Sequence, residues 1–210
     1  MIKNRRLIRS SARRIAKAVD RSIEDLNDRL VEQEPHLTDR MLGRIAESMR
    51  GFEKHGVKWT AKTLTDHGPG TQEREYGADF VGVLEIDIPG YSVRKGFLAQ
   101  SKLIRNNHMS SGEFNRLISQ CKQMLELSPS SYVFSMSPSG IRVIPAIAVV
   151  GAGFSDLVFN PDGLYSRSVS TFYEEHFECF IGDMSIYEPS KETLARLRAR
   201  SLLYLAARTV

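Results

Sequence analysis

The sequence predicts an α/β protein built on a mixed sheet, and three observations predict it. Apolar residues recur at helical spacing in residues 5–31 and 36–50. Two long apolar runs, 78–88 and 93–103, meet at Pro89-Gly90, a hairpin signal. Helical spacing then returns at 110–127 and is followed by a short apolar run at 132–136. Helices and strands that interleave in this way pack as layers around a sheet.

Composition narrows the class. Of 210 residues, 41% are apolar and 26% charged, the balance of a globular chain that buries a core. The longest mainly apolar stretch, 143–159, is interrupted by Pro145, Gly151, Gly153, Ser155 and Asp156, so no membrane span is expected. The charged N-terminus leads into further arginines, without the apolar segment of a signal peptide. Cys121 and Cys179 form no CxxC pattern and read as reduced thiols of a cytoplasmic protein.

The first helix carries most of the positive charge. Residues 1–21 hold eight basic side chains and one acid, yet the whole chain is only +4, so the remainder is net acidic. Ile8, Ala12, Ile15, Val19, Ile23, Leu26 and Leu30 form one stripe, which must be buried on the body of the protein or on a second copy in a homodimer. The polar face presents Arg5, Arg6, Arg9, Arg13, Arg14 and Lys17, suited to the phosphates of a nucleic acid. A solvated helix whose arginines only keep it soluble is the alternative.

Pro35 marks a boundary, and the second helix turns Leu37, Met41, Leu42 and Ile45 inward before Gly51 closes it. Residues 57–64 read as a strand, and 66–71 as loop. The helix at 110–127 has Phe114, Leu117, Ile118, Cys121, Met124 and Leu125 on its apolar face. Strands at 132–136 and 141–149 flank a second hairpin at residues 137–140. Residues 150–187 show no assignable element, and their aromatics Phe172, Tyr173, Phe177 and Phe180 read as core. Ser190 caps a last helix expected to run to about Arg208, with Leu194, Leu197, Leu202 and Leu205 buried.

The first hairpin carries the candidate chemistry. A turn centred on Pro89-Gly90 pairs Asp79 with Gln100, Val81 with Leu98, and Glu85 with Arg94. Side chains alternate along a strand, so Phe80, Leu84, Ile86, Phe97 and Ala99 share one face. Asp79, Gln100 and Lys102 cluster at the open end of the other. A carboxylate, an amide oxygen and an ammonium together suit phosphodiester hydrolysis. The two oxygens and a main-chain carbonyl can hold a hard divalent cation, and the lysine can stabilise charge on the phosphate. The plainer alternative is an Asp79–Lys102 surface salt bridge beside a solvated Gln100.

Glu-Arg-Glu-Tyr-Gly-Ala-Asp-Phe (73–80) followed by Lys-Gly-Phe-Leu-Ala-Gln-Ser-Lys (95–102) resembles the PD-(D/E)xK nuclease superfamily. The likeness is to the branch, seen in Mrr-like restriction enzymes, that ends the third core strand in Q-x-K. It covers roughly residues 34–150 and implies a restriction-endonuclease-like core of helix, three-strand mixed sheet, helix and strand. The domains would then be a basic N-terminal helix (1–34), a nuclease core (35–150) and a C-terminal extension (151–210) packing on it. The resemblance makes Asp79 the central metal ligand, Gln100 the third-strand ligand and Lys102 the catalytic lysine. It also calls for a glutamate: Glu34 first, since it shares a stripe with Leu37, Met41 and Ile45, with Glu47 and Glu75 as alternatives. Ala78 stands where the family has proline, and Gln100 brings no negative charge.

The implied activity is Mg²⁺-dependent endonucleolytic cleavage of DNA, with Mn²⁺ able to substitute and RNA not set aside, in bacterial or phage defence. The setting leaves room for a partner protein that supplies specificity. The alternative is a non-catalytic nucleic-acid-binding or assembly subunit. Elsewhere, the five histidines have no HxH or HxxxH spacing, which speaks against zinc. His108, six residues past Lys102, reads as a plain loop residue rather than a substrate contact, while Gln120 and Lys122 either face the site, as polar residues of related families do, or are solvated. Gly151-Ala152-Gly153 lacks the third glycine of a dinucleotide fingerprint, and neither a P-loop nor GxSxG is present.

Overall fold

The structure is a computed structural model and describes residues 5–65, 77–105, 109–153 and 163–210. Two helices come first, α1 (Arg5–Asn27) and α2 (Glu34–Met49). They lead to β1 (Glu53–Lys54), β2 (Val57–Thr65), β3 (Ala78–Ile88) and β4 (Tyr91–Leu103). Then follow α3 (Ser111–Leu127), β5 (Ser131–Ser137), β6 (Gly140–Pro145) and α4 (Ala146–Ala152). The chain ends with β7 (Arg167–Ser168), α5 (Val169–Phe177), α6 (Lys191–Arg196) and β8 (Ala199–Thr209).

The strands form one mixed sheet in the order β1-β2-β8-β3-β4-β5-β6-β7. Pairs β3–β8 and β4–β5 are parallel and the others antiparallel. One apolar layer joins α1, α2 and α5 to a sheet face through Ile15, Met41, Phe80, Phe97, Phe134 and Phe172. The opposite layer joins α3, α4 and α6 to the other face through Val81, Leu98, Leu117, Met124, Val149 and Leu194. Both faces of the central strands are therefore dry, whereas the hairpin reading gave them one apolar face.

The sheet has eight strands where a three-strand core was expected, and the largest correction is its eighth. Residues 190–208 are not one helix. Helix α6 stops after six residues, Arg198 takes a φ of +48°, and the chain continues as a strand between β2 and β3. Leucine and alanine favour helix, and Leu194, Leu197, Leu202 and Leu205 would fall on one side of a helix. A strand buried on both faces, however, also reads as a continuous apolar run, and its two neighbours decide the outcome. Similarly, the strand expected over 141–149 ends at Pro145. That residue has no N–H for the ladder, and it caps α4 instead.

Helix α1 is shorter than expected. Arg29 turns the chain with a φ of +57°, and Leu30, placed on the stripe, is 63% exposed. The rest of the stripe packs inside the molecule, with Ile8, Ala12, Ile15, Val19 and Ile23 in the same layer as α2 and α5. Of the two places expected for the stripe, the body of the protein or a second copy, the described residues show the first. Within 150–187, Phe172, Tyr173 and Phe177 of α5 are core, as read, but Phe180 is exposed.

These two leucines give a direct test. Leu205→Ala in the buried β8 should lower unfolding free energy by about 2–5 kcal/mol, and Leu30→Ala should change it by less than about 0.5 kcal/mol. Urea titrations of the two variants would check the ranking.

Candidate active site

The hairpin register is the one the turn implies. Phe80 lies opposite Ala99 and Glu85 opposite Arg94, which brings Asp79 level with Gln100 at the open end. Gln100 Nε2 donates to Asp79 Oδ2 at 2.6 Å, and the Ser101 backbone N–H donates to the same oxygen at 2.8 Å. On the other side, β8 runs parallel to β3 with Ala199 opposite Ala78 and Ser201 opposite Phe80. Arg200 thus stands beside Asp79. Its guanidinium is held by the Pro35 carbonyl at 3.1 Å and by Asp39 Oδ1 at 3.0 Å, both from the start of α2.

The first turn of α2 delivers Glu34. Its Oε2 accepts from the Leu103 backbone N–H at 2.7 Å and lies 3.6 Å from Lys102 Nζ. Leu37, Met41 and Ile45 bury the same stripe of the helix and so fix the height of Glu34 against the end of β4. Glu113 comes to the other side of Lys102, with Oε1 4.0 Å from Nζ. It is positioned by a capping box in which Ser110 and Glu113 bond each other's backbone N–H at the start of α3. The salt bridges of Lys102 are thus to Glu34 and Glu113, rather than to Asp79 as in the plainer alternative.

Burial is what makes the cluster unusual. Gln100 is 4% exposed, not solvated, and its Oε1 is buried with no hydrogen-bond partner among the described residues. An unpaired buried amide oxygen costs about 1–3 kcal/mol, so the fold holds an acceptor in reserve. Desolvation pushes the Asp79 carboxyl up to about 6, and the nearby Glu34 charge adds to it; the Ser101 N–H, Arg200 and Lys102 act in the opposite sense. Two carboxylates, an amide oxygen and a lysine therefore converge on one end of the sheet.

Among the described residues, no group of three or more His, Cys, Asp or Glu is arranged to hold a metal ion. The donor set is mixed instead: the Asp79 carboxylate, the free Gln100 Oε1 and the Ser101 carbonyl 3.5 Å from Gln100 Nε2. All are hard oxygen donors, which fits magnesium or manganese and not zinc.

No protein-family model, curated protein or solved structure matches the chain. The reading of the site therefore stands on its geometry.

Other expected residues fall elsewhere. Glu47 is exposed near the far end of α2, about 20 Å from Glu34 at 1.5 Å per residue. Glu75 and His108 lie outside the described residues. Gln120 is half-buried and Lys122 exposed on α3. Arg5, Arg6, Arg9, Arg13, Arg14 and Lys17 are all exposed on α1, but away from this end. Asp25 late in α1 pairs with Arg40 and Arg44 of α2, and Arg14 early in α1 donates to the Ser48 carbonyl. The two helices are therefore antiparallel, and the basic half of α1 flanks the end of α2 opposite Glu34.

Arg200, Asp39 and Glu113 were missed from sequence. The Ser110-x-x-Glu113 pattern signals the position of Glu113. Arg200 and Asp39 carry no local signal, since their approach depends on β8 lying beside β3.

A pH series follows from the raised carboxyl. Between 3.8 and about 6 the folded carboxyl holds a proton that the unfolded one releases, so stability falls as pH rises through that window. Asp79→Asn should be more stable than wild type by about 1–3 kcal/mol at pH 8, with the gap closing below about pH 4. Urea unfolding at each pH measures it, and equal stability at pH 8 would contradict the burial argument.

Proposed function

We propose that the protein is a metal-dependent endonuclease that hydrolyses phosphodiester bonds in DNA, of the PD-(D/E)xK type with a Q-x-K third strand. The observation that carries this reading is Gln100. Its amide nitrogen is bonded to Asp79 while its buried oxygen has no partner among the described residues, and Lys102 lies two residues on, beside Glu34.

Asp79, the Gln100 Oε1 and the Ser101 carbonyl would hold the cation. When bound, a divalent ion supplies Lewis acidity to the scissile phosphate and acidifies a water. The chain's own groups do the rest. Lys102 places an ammonium against the charge that develops on the phosphate oxygens, and Glu34 and Glu113 fix its position from two sides. Glu34 is also placed to orient water through the carboxylate oxygen that Leu103 does not occupy. Arg200, tethered to Asp39, adds positive charge beside Asp79 and helps to keep its carboxylate ionised at neutral pH. The order of helix, strand, hairpin, helix and strand around the motif agrees with the resemblance. The additional strands β1, β6, β7 and β8 extend the sheet beyond it.

Cleavage of supercoiled plasmid in Mg²⁺, Mn²⁺ or EDTA tests the proposal. Wild type should nick in the presence of metal, with a rate that rises through about pH 6 as Asp79 ionises. Asp79→Ala and Lys102→Ala should each lose at least about 100-fold. Intact nucleic-acid binding by all three proteins without any cleavage would leave the non-catalytic subunit as the function.

A further inference from the structure

We infer that the cleft between α1 and the β1–β2 turn is a second nucleic-acid-binding surface. It would grip the phosphate backbone of a DNA duplex away from the Asp79 end of the sheet. The inference rests on the proposed nucleic-acid substrate, but not on catalysis.

The cleft has a volume of about 730 Å³. One wall is α1 with Arg6, Arg9, Arg13 and Lys17, and the other is the turn with Lys54 and His55. No carboxylate lines it among the described residues, and the four cations on α1 form no ion pair there. Unpaired like charges this close repel one another, and an anion in the cleft relieves the repulsion. Both walls are held by local contacts. Lys54 pairs with Val57 across a two-residue loop, His55-Gly56, whose positive φ values of 53° and 71° are those of a tight hairpin turn. Arg14 braces the floor by bonding the Ser48 carbonyl and lying 4.6 Å over the Phe52 ring.

Charge and the burial of the apolar face of α1 select the partner. A membrane-binding helix must place an apolar face among lipids, but the apolar face of α1 is in the core. An open depression with cations on two sides presents more positive charge to a phosphate backbone than one helix face alone. The cleft also stands about 20 Å from Glu34, measured along α2 at 1.5 Å per residue. At about 3.4 Å per nucleotide, one strand touching both places spans six nucleotides or more. The cleft is thus an anchor separate from the cutting end.

The test is fluorescence anisotropy of a labelled 30-base-pair duplex in EDTA, titrated between about 50 and 300 mM KCl. The combined Arg6→Ala, Arg9→Ala, Arg13→Ala variant should lower the slope of log K against log salt by roughly 2–3, at about 0.9 per phosphate contact. Lys54→Ala on the opposite wall should lower it by about 0.9, and Lys191→Ala, an exposed cation on α6 against the other sheet face, should leave it unchanged. Slopes equal to wild type in both cleft variants would overturn the inference. Loss of binding to phosphatidylserine vesicles with duplex binding unaltered would also overturn it. A wild type that never cleaves but shows these slope changes would remove the nuclease reading and keep the anchor.

Discussion

The parallel pairing of β8 with β3 is the contact on which the rest of the molecule depends. From Ala78–Ala199 to Asp87–Arg208 it joins the C-terminal strand to the strand that bears Asp79, and β8 meets β2 on its other edge. Without it β2 and β1 would have no connection to the remaining sheet, because β8 alone separates β2 from β3. The pairing also closes a long sequence separation, exceeded in the sheet only by that of β2 with β8, and long-range pairing of this kind forms slowly. Packing is equally tight on the other edge of β3, against β4. A Cβ at Gly82 of β3 would come within 2.3 Å of the Phe97 ring, and one at Gly96 of β4 within 2.6 Å of the Gly82 carbonyl.

That pairing sets the electrostatics at both ends of the strand. At one end, Arg200 is delivered beside Asp79 and fastened to α2 through Asp39 and Pro35. At the other, Tyr204 and Arg208 reach Glu85, with Oη donating at 2.8 Å and Nη2 at 2.9 Å, and Arg94 adds a longer contact at 3.4 Å. These donors and guanidinium charges hold the Glu85 carboxyl below its usual value, although burial opposes them. The contrast between the two carboxylates is instructive. Glu85 has its donors in place and reads as a structural ion-pair network. Asp79 is left with a raised carboxyl next to an unpaired amide oxygen, a combination that adds nothing to stability and suits a site that waits for a cation.

Local signals in the sequence located the hairpin and its register. Two apolar runs around Pro89-Gly90 are a short-range pattern, and cross-strand partners follow from it by counting, so Asp79, Gln100 and Lys102 could be grouped without a structure. Glu34 was accessible as well, because Pro35 marks the first turn of helix α2 and the buried stripe of that helix is regular. The C-terminal strand was not accessible. Leu202, Leu203, Leu205, Ala206 and Ala207 carry helix-favouring side chains, and only the two-sided burial between β2 and β8's other neighbour β3 makes them strand. Arg200 and Asp39 were lost with it. The basic face of α1 was legible as charge but not as position, since nothing local says which end of α2 it accompanies.

The central claim is that Asp79 and Gln100 together form a site for a hard cation. Its most direct test is an equilibrium titration of Mn²⁺, followed by electron paramagnetic resonance, in wild type, Gln100→Leu and Gln100→Glu. The account predicts one saturable ion in wild type with proton release near pH 6, weaker binding in Gln100→Leu, and roughly tenfold or greater tightening in Gln100→Glu. Saturable binding that none of these changes alters, or no binding at all in wild type, would contradict it.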